Sequence, residues 1–418
     1  MPGELPKWSE LELRRILRLS PMGTAPLDST NRYDGDPLAE QLGRFLFFDE
    51  ALSSNGEISC ATCHDPSLGL SDGKPVAETL GLGPRRTPAL WNQAYGHWFF
   101  HDGRADTLWS QALGPLENEI EMGSDRLAVL HRIAGEPELL ASFEALCGPL
   151  PELEDKARFP EHARPIPSKP DHALSRAWLG MKEEDRIAVN HSFSKVGKLL
   201  AAFERQLVSQ DSAFDRFVVG LREEDPVKQE ALSPSAGRGL RLFLGKGNCR
   251  LCHNGPNFSD GEFHGLGLAS RAGGMPTDSG RYEGVPQVLA GEFNATSLYS
   301  DDPSGERAQQ LTGLSVGPAN WGEFKTPSLR NVNSRPPYMH AGQFKDLAAV
   351  LNFYSTLEGS APLHQHQEQI LTARNFTSGE MEDLEAFLRS LEGAEIDPSW
   401  TRSGPPPPPR SVRKKHPR

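Results

Sequence analysis

Apolar residues recur at helical spacing in several stretches of the chain and predict a mainly helical protein. Leu38, Leu42 and Leu46 form one face of a helix that begins near Pro37. A longer stripe predicts a buried core helix and consists of Ile187, Val189, Phe193, Val196, Leu199, Leu200, Phe203 and Leu207. Shorter stretches of the same kind predict helices at 106–113, 125–133, 137–146, 344–357 and 378–391. We therefore expect a mainly α fold with long loops and few strands.

The remaining stretches are polar, or rich in glycine and proline. Residues 1–35 are turn-rich apart from a short amphipathic piece at 11–19, and we expect an N-terminal extension that lies on the surface. Residues 149–185 have the composition of a linker, and residues 262–322 predict a long loop excursion. The chain ends in a proline run at 405–409 and a basic tail, which we expect to be disordered.

The candidate chemistry lies in the stretch Cys60-Ala61-Thr62-Cys63-His64. Two cysteines three apart and a histidine are the attachment pattern of haem c, in which the thiols bond the porphyrin and the histidine ligates the iron. A redox dithiol or half of a zinc site is the alternative, because CxxC serves both. The pattern recurs at Cys249-Arg250-Leu251-Cys252-His253, 189 residues later, whereas zinc pairs lie roughly 15–20 residues apart. We therefore predict two covalently bound haem c groups, with His64 and His253 as axial ligands.

The surroundings of the two motifs are also alike. An apolar helix precedes each motif, and Leu70-Ser71-Asp72-Gly73 after the first resembles Phe258-Ser259-Asp260-Gly261 after the second. This internal duplication predicts two cytochrome c-like haem domains packed face to face, at 36–165 and 166–358. Residues 359–418 are expected to form a C-terminal helix that returns to the body, followed by the tail.

Composition and charge limit the partners and the cellular location of such a protein. The formal net charge of −12 excludes nucleic acid as a partner. No run of about 18 apolar residues exists, so no membrane span is predicted. Haem c is attached outside the cytoplasm in bacteria, yet Met1-Pro2-Gly3-Glu4 lacks the features of a signal peptide. We therefore expect a periplasmic protein from which a leader has been removed.

These motifs resemble those of the bacterial dihaem cytochrome c peroxidases and their relatives of the MauG type. The resemblance covers about residues 37–393, and beyond the haem motifs it is most specific at Arg85–Asn92, Asp102–Asp106, Gln111–Pro115 and Phe324–Gly342. It implies that the N-terminal haem reacts with hydrogen peroxide and that the C-terminal haem handles electrons. The stretch from Phe100 to Trp109 looks closest to MbnH-type enzymes, which implies oxidation of a tryptophan on a partner protein.

Two positions bear on the branch within that family. Resting peroxidases often cap the first iron with a histidine from the following loop, and Leu82, which stands at that position here, cannot ligate iron. Peroxidases use a methionine on the second iron and MauG-like enzymes a tyrosine. Counting 14 residues on from His340 gives Tyr354, although Met339 is the ligand if Tyr354 is only a core residue. A tyrosinate favours ferric and higher iron, and both positions favour the MauG branch.

The resemblance also implies a pocket above the first iron, formed by Gln111, Pro115 and Glu121. Peroxide chemistry requires an acid–base group there to move a proton between the two oxygens. Glu121 is the candidate for this role. Glu117 and Glu119 lie close by in the sequence and remain alternatives.

Departures from the family pattern concern the space between the haems. His101 stands where the family has a tryptophan that relays electrons, so the alternative relays are Trp98, Trp91 and Trp109. Arg104 either stabilises negative charge near the pocket or anchors Asp102 or a haem propionate. Arg86 and Arg335 replace oxygen ligands of the family's calcium ion, which makes calcium doubtful here.

Together these features predict a hydrogen-peroxide-dependent oxidoreductase that oxidises a residue of a docked partner protein through a high-valent dihaem state. One alternative is a peroxidase that draws electrons from a small cytochrome or copper protein. A further alternative is a dihaem electron carrier without enzymatic activity, in which both irons are six-coordinate.

Overall fold

The computed structural model of the chain describes residues 4–361, 368–394 and 396–408. The α-helices are α1 (Glu10–Ile16), α2 (Pro37–Phe48), α3 (Cys60–Cys63), α4 (Leu108–Glu117), α5 (Arg126–Ala134), α6 (Pro137–Cys147), α7 (Ala173–Gly180), α8 (Glu183–Glu204), α9 (Ala213–Arg222), α10 (Pro226–Gln229), α11 (Pro234–Leu244), α12 (Arg281–Ala290), α13 (Glu306–Thr312), α14 (Leu347–Thr356) and α15 (Ser378–Arg389). Short 3₁₀ helices lie at Glu50–Leu52, Pro66–Leu68, Gln93–Tyr95, Cys249–Leu251, Pro318–Asn320 and Val332–Ser334. Two short strands, β1 (Phe263–His264) and β2 (Phe324–Lys325), pair antiparallel. The mainly helical fold with few strands is confirmed.

In the first module, the helix before the haem motif packs against the long helix α8. Leu42 and Leu46 on α2 are fully buried, and Asp36 caps the helix by accepting hydrogen bonds from first-turn amides. Gly43 lies at the helix crossing, because a Cβ there would collide with the Leu199 carbonyl oxygen. The glycine therefore permits the close approach of α2 and α8.

The second module repeats this arrangement with α11 and α15. Gly239 on α11 lies against α15, where a Cβ would collide with the Asp383 carbonyl oxygen. Thr377 and Glu380 form a capping box at the start of α15. Each haem motif thus follows a helix that crosses the last helix of its own module at a glycine, as an internal duplication predicts.

Helix α8 belongs to the first module, although the predicted boundary at 165/166 assigns it to the second. Its apolar residues Phe193, Leu200 and Phe203 are buried in the same core as Leu42. The preceding stretch, predicted as a linker, also contains helix α7. The helix was not predicted because proline and charged residues in that stretch interrupt the apolar periodicity.

The excursion at 262–322 is more ordered than the predicted loop. It contains β1, α12 and α13, and Val288, Ala308 and Leu311 form a small core of their own. Asp278 in the excursion makes an ion pair with Arg85 at 2.7 Å. Glycine and Pro286 within α12 weakened the helical signal, and the excursion is tied to the first module.

Both terminal segments pack on the body. Ile16 and Leu19 are buried in the core of the second module, so the N-terminal extension does not simply lie on the surface. Pro407 is buried and its carbonyl accepts a hydrogen bond from Ser142, so disorder was the wrong expectation for 405–408. The basic tail beyond lies outside the described residues. Among the described helices, none has the length and apolar character that a membrane crossing requires.

Candidate active site

A cavity of about 1000 Å³ lies between the modules and is lined by residues of both CxxCH motifs. Cys60 and His64 line it from the first module, and Cys252 and His253 line it from the second. Pockets for single small molecules measure about 300–1,000 Å³. The cavity is therefore at the upper end of this range and has the motif residues of two modules on its wall.

The two motif histidines have the same geometry. Nδ1 of His64 lies 3.1 Å from the Leu70 carbonyl oxygen, and Nδ1 of His253 lies 3.0 Å from that of Phe258. Leu70 and Phe258 both have a positive φ, of 60° and 51°, which is uncommon for such side chains. When Nδ1–H donates to a carbonyl, the Nε2 lone pair is free to bind a metal. Burial lowers the pKa of both imidazoles and so favours this neutral form.

The motif cysteines are suited to thioether bonds. All four thiols are free, and burial raises the pKa of Cys63 to about 11 and that of Cys249 to about 12. A redox dithiol needs the opposite shift, toward the thiolate. Free protonated thiols, oriented imidazoles and a large cavity fit one haem c at each motif.

One group of side chains has the spacing of a metal site. Ligand atoms of Cys252, Asp260 and His264 lie within 4.8 Å of one another. The His264 ring is already bonded on both sides, to Asp260 at 2.9 Å and to Glu368 at 2.8 Å. The hydrogen bond to Asp260 is the main cause that raises the pKa of His264 to about 11. Because Cys252 belongs to the haem motif, we assign no metal ion to this group.

The predicted acid–base pocket lies on the wall of this cavity. Helix α4 carries Gln111 and Pro115, and the turn after it carries Glu121; all three line the cavity. The charge of Glu121 contributes to the raised pKa of Cys63, so its carboxyl group is near the first motif. Burial raises the pKa of Glu121 itself.

The two rival carboxylates are engaged elsewhere. Glu117 makes an ion pair with Arg126 at 2.9 Å, and Glu119 makes one with Lys169 at 2.9 Å. Neither is among the described residues that line the cavity. Of the three carboxylates in this stretch, Glu121 alone faces the cavity.

Arg104 contacts Asp102 and also lines the cavity. Its guanidinium lies 3.6 Å from the centroid of the Phe100 ring and makes an ion pair with Asp102 at 3.1 Å. It also lines the cavity, and its charge opposes the raised pKa of Glu121. Arg104 is therefore anchored by Asp102 while its charge acts on the pocket.

The loop at 78–84 brings no iron ligand to the cavity. The Leu82 side chain is 68% exposed, and Gly83 and Pro84 are the loop residues that line the cavity. The loop is held in this position because Gly81 N donates to the Ile120 carbonyl at 3.1 Å.

Both candidate ligands of the second iron line the cavity. Tyr354 lies on α14, and after burial the charges of Cys249 and Cys252 are the causes that raise its pKa, so its phenol is near the second motif. Its hydroxyl has no hydrogen-bond partner among the described residues. Met339 precedes His340, whose carbonyl accepts a hydrogen bond at 2.9 Å from the Arg86 amide, on the side of the first module.

Two buried arginines, Arg86 and Arg335, line the cavity, and neither makes an ion pair with a carboxylate of the described residues. Arg86 donates to the Ser71 hydroxyl at 2.9 Å and to the Arg335 carbonyl at 3.1 Å, and Arg335 donates to the Ser328 carbonyl. The Nε atom of each is buried and has no hydrogen-bond partner in the part of the chain that the structure describes. Burial lowers the pKa of both side chains, that of Arg335 to about 10. Neighbouring buried cations require anions. Haem propionates would satisfy this requirement, whereas a calcium ion would add positive charge.

We therefore expect the purified holoprotein to bind haem without stoichiometric calcium. Elemental analysis should find none, and a chelator such as EGTA should leave the haem spectrum unchanged. Arg86→Gln should lower the nearer haem's reduction potential by on the order of tens of millivolts, because it removes a buried positive charge. Arg238→Gln, in a surface ion pair with Asp383, serves as control. One calcium ion per chain would contradict this expectation.

The four candidate relay residues are placed differently. His101 and Trp91 line the cavity, whereas Trp98 and Trp109 do not. His101 Nε2 lies 3.0 Å from the Arg86 carbonyl, and burial lowers its pKa to about 3, so the ring is neutral. Trp109 is fully buried and donates to the Thr30 hydroxyl at 3.0 Å.

The sequence pattern missed cavity residues that come from the excursion and the strand after it. Asp278 and Trp321 line the cavity, as does Lys325 on β2, which donates to the Trp98 carbonyl at 2.8 Å. Burial lowers the pKa of Lys325 to about 8. One sequence feature could have indicated that this segment reaches the cavity, namely Trp321, a large aromatic residue in a stretch of small and polar ones.

Comparison with known proteins identifies the family. Residues 37–223 match the sequence profile of the family Di-haem cytochrome c peroxidase. The methylamine utilization protein MauG of Methylorubrum extorquens is 33% identical over 353 residues, which cover 84% of this chain and 77% of that protein. The cytochrome c551 peroxidase of Pseudomonas aeruginosa is 29% identical over 371 residues, which cover 86% of this chain and 81% of that protein.

A solved structure shows the same fold. The diheme peroxidase BthA from Burkholderia thailandensis E264 superimposes with a TM-score of 0.59 over 91% of this chain and 93% of that chain, at 22% identity. Two CxxCH motifs stand at one cavity, and relatives match along most of the chain. The chain is thus a member of the di-haem cytochrome c peroxidase and MauG family, an oxidoreductase with two haem c groups.

Proposed function

We propose that this enzyme uses hydrogen peroxide to oxidise a residue of a docked partner protein, a reaction of the MauG and MbnH type. The observation that carries the proposal is Tyr354, whose phenol lines the cavity beside the second motif and has no hydrogen-bond partner among the described residues. A tyrosinate ligand favours ferric over ferrous iron. A centre of this kind is a poor acceptor for ordinary electron carriers, so the electrons come from a protein side chain instead.

Bound haem supplies the redox chemistry, and the chain's own residues position peroxide and move its protons. Glu121 takes a proton from one peroxide oxygen and delivers it to the other, which leaves as water. Its raised pKa lies nearer to neutral pH than that of an ordinary glutamate, which suits both steps. The Gln111 amide holds the peroxide, and the positive charge of Arg104 stabilises negative charge that develops during O–O cleavage.

The second candidate function is that of an ordinary peroxidase. In this case Met339 ligates the second iron, and a small cytochrome or copper protein donates the electrons. Met339 lines the cavity, and the similarity to a cytochrome c551 peroxidase supports this alternative. The loop at 78–84 favours the first proposal, because Leu82 offers no ligand whose release must precede the reaction.

We place this reaction in the periplasm, where haem c is attached. The oxidised residue lies on the surface of a folded partner and never needs to enter the cavity. A tryptophan is the expected target, because the resemblance to MbnH-type enzymes implies it.

Stoichiometric hydrogen peroxide added to the fully ferric protein should react without prior reduction. We expect loss of the high-spin ferric EPR signal and a long-lived change in the visible and near-infrared spectra. The same titration of half-reduced protein serves as the comparison. Reaction only after one-electron reduction would contradict the proposal and favour the ordinary peroxidase.

A further inference from the structure

An aromatic pair lies where the cavity meets the protein surface. Trp321 lines the cavity and its side chain is nevertheless 38% exposed. Tyr282 lies beside it, with ring centroids 5.5 Å apart, and is 39% exposed. Aromatic side chains bury large apolar areas and stabilise cores. More than a third of each residue of this pair is instead left exposed, at the mouth of the cofactor cavity, where another molecule can reach it.

The backbone holds the pair in a fixed position. The Arg281 amide donates to the Glu323 carbonyl at 2.9 Å, and the Gly322 amide donates to the Ser279 carbonyl at 3.0 Å. Gly280 has a φ of 55°, and a Cβ there would collide with the Glu323 carbonyl oxygen. The two segments that carry Tyr282 and Trp321 are therefore joined closely.

A further feature of Trp321, shared with Trp91, is that no cation of the described residues lies at its ring. Five of the seven tryptophans have a cation at their ring: Trp8 has Arg241 at 5.2 Å, Trp98 has Arg281 at 4.4 Å, Trp109 has Lys198 at 5.3 Å, Trp178 has Arg126 at 4.9 Å and Trp400 has Arg44 at 5.8 Å. A cation on the ring face is attracted by the neutral π system and repelled by a radical cation, so it makes the ring harder to oxidise. Within the described residues, Trp91 and Trp321 have no such cation, and these two line the cavity.

We propose that Trp321, with Tyr282 beside it, is the residue through which electrons pass from a docked protein into the haem cavity. This inference rests on the proposed function and names its point of contact with the partner. Trp91 is buried, so of the two cavity tryptophans without a cation only Trp321 reaches the surface. Of the charged residues close to the pair in sequence, Glu283 and Glu323 are acidic and favour a transient positive charge on the rings. Arg281, next to Tyr282, lies over the Trp98 and Phe263 rings instead. The partner presents an oxidisable aromatic side chain at this surface.

The electron balance is complete with hydrogen peroxide as the oxidant. Each peroxide takes two electrons and two protons and gives two waters. For each electron, Trp321 gives one inward and takes one from the partner's side chain, and so returns to its starting state. Without a partner, Trp321 supplies both electrons itself. Its indole then gains an oxygen atom from water and releases two protons, so one peroxide yields hydroxytryptophan and one water.

The test treats the holoprotein with stoichiometric hydrogen peroxide in the absence of a partner and locates added oxygen by peptide mass spectrometry. We expect oxidation at Trp321 or Tyr282 to exceed that at Trp8 at least about tenfold. Trp8 is a matched control, because it is partly exposed but lies under Arg241 and does not line the cavity. Trp321→Phe should abolish the radical signal assigned to this pair in EPR spectra while peroxide is still consumed. Trp8→Phe should leave both the radical signal and the consumption of peroxide unchanged.

Oxidation of Trp321 and Tyr282 that is in both cases no greater than that of Trp8 would overturn the inference. An unchanged radical in both Trp321→Phe and Tyr282→Phe would also overturn it. If peroxide is consumed under these outcomes, the proposed function stands and only the point of contact is wrong. If the ferric holoprotein does not consume peroxide, the proposed function fails, and the inference fails with it.

Discussion

Glu121→Gln is expected to slow the reaction with hydrogen peroxide by roughly 10²–10⁴-fold. Glutamine has nearly the shape of glutamate and preserves the wall of the cavity, but its amide cannot take up and return a proton. The loss therefore reports on proton transfer rather than on packing. Burial raises the pKa of Glu121, whereas Arg104 and the Asn118 side chain oppose this shift. The net shift is upward, so the carboxyl group gives up its proton less readily than an ordinary glutamate.

Stopped-flow spectroscopy of the ferric protein mixed with peroxide measures this rate. Glu119→Gln is the matched control, because Glu119 is exposed, pairs with Lys169 and lies outside the cavity wall. Glu117→Gln is a poorer control, since it breaks the ion pair with the buried Arg126. A normal rate in Glu121→Gln would show that another group moves the proton.

The same assignment fixes the direction of the pH dependence. Glu121 must be ionised to accept the proton, so the rate should fall as the pH drops through its pKa. That pKa is raised by burial, and the fall should therefore begin above the usual range of a glutamate. In Glu121→Gln the remaining slow rate should be independent of pH in this window.

The parts of the fold that local pattern specifies could be predicted from the sequence. Helix α2 begins at a proline behind a capping aspartate, and α15 begins with a Thr377 capping box. The two CxxCH motifs predict the two haem c groups directly, because the attachment of haem c needs those residues at that spacing.

The remaining features depend on contacts between distant residues. Glu117, Glu119 and Glu121 look equivalent in the sequence. Their roles differ because Arg126 binds Glu117 and Lys169 binds Glu119, which leaves Glu121 to face the cavity. The boundary between modules was misplaced because the crossing at Gly43 depends on a residue far along the chain. No local pattern carries that information.

The structure of the excursion at 262–322 likewise depends on contacts that local sequence does not predict. Asp278 binds Arg85, which is 193 residues away in sequence, and this contact brings Trp321 to the cavity mouth together with the strand pairing of β1 and β2. Glycine-rich composition predicts a loop correctly in many proteins. Here short helices form because neighbouring elements cover them.

Tyr354→Met is expected to raise the reduction potential of the second haem by tenths of a volt, within the roughly 0.8 V that axial ligands span. A thioether stabilises ferrous iron, whereas a tyrosinate stabilises ferric iron. Methionine has a higher helix propensity than tyrosine, so α14 should persist in the variant. With the higher potential, the oxidised state formed with peroxide should decay faster, and the variant should accept electrons from reduced cytochrome c.

Spectroelectrochemical titration of both haems measures this change, and Met339→Leu is its matched comparison. If Tyr354 is the ligand, Met339→Leu leaves the potential and the visible spectrum of the second haem unaltered. The opposite pattern, a changed spectrum in Met339→Leu and an unchanged potential in Tyr354→Met, would assign Met339 to the iron. The enzyme would then be an ordinary peroxidase, because a methionine-ligated haem at high potential takes electrons readily from small carriers.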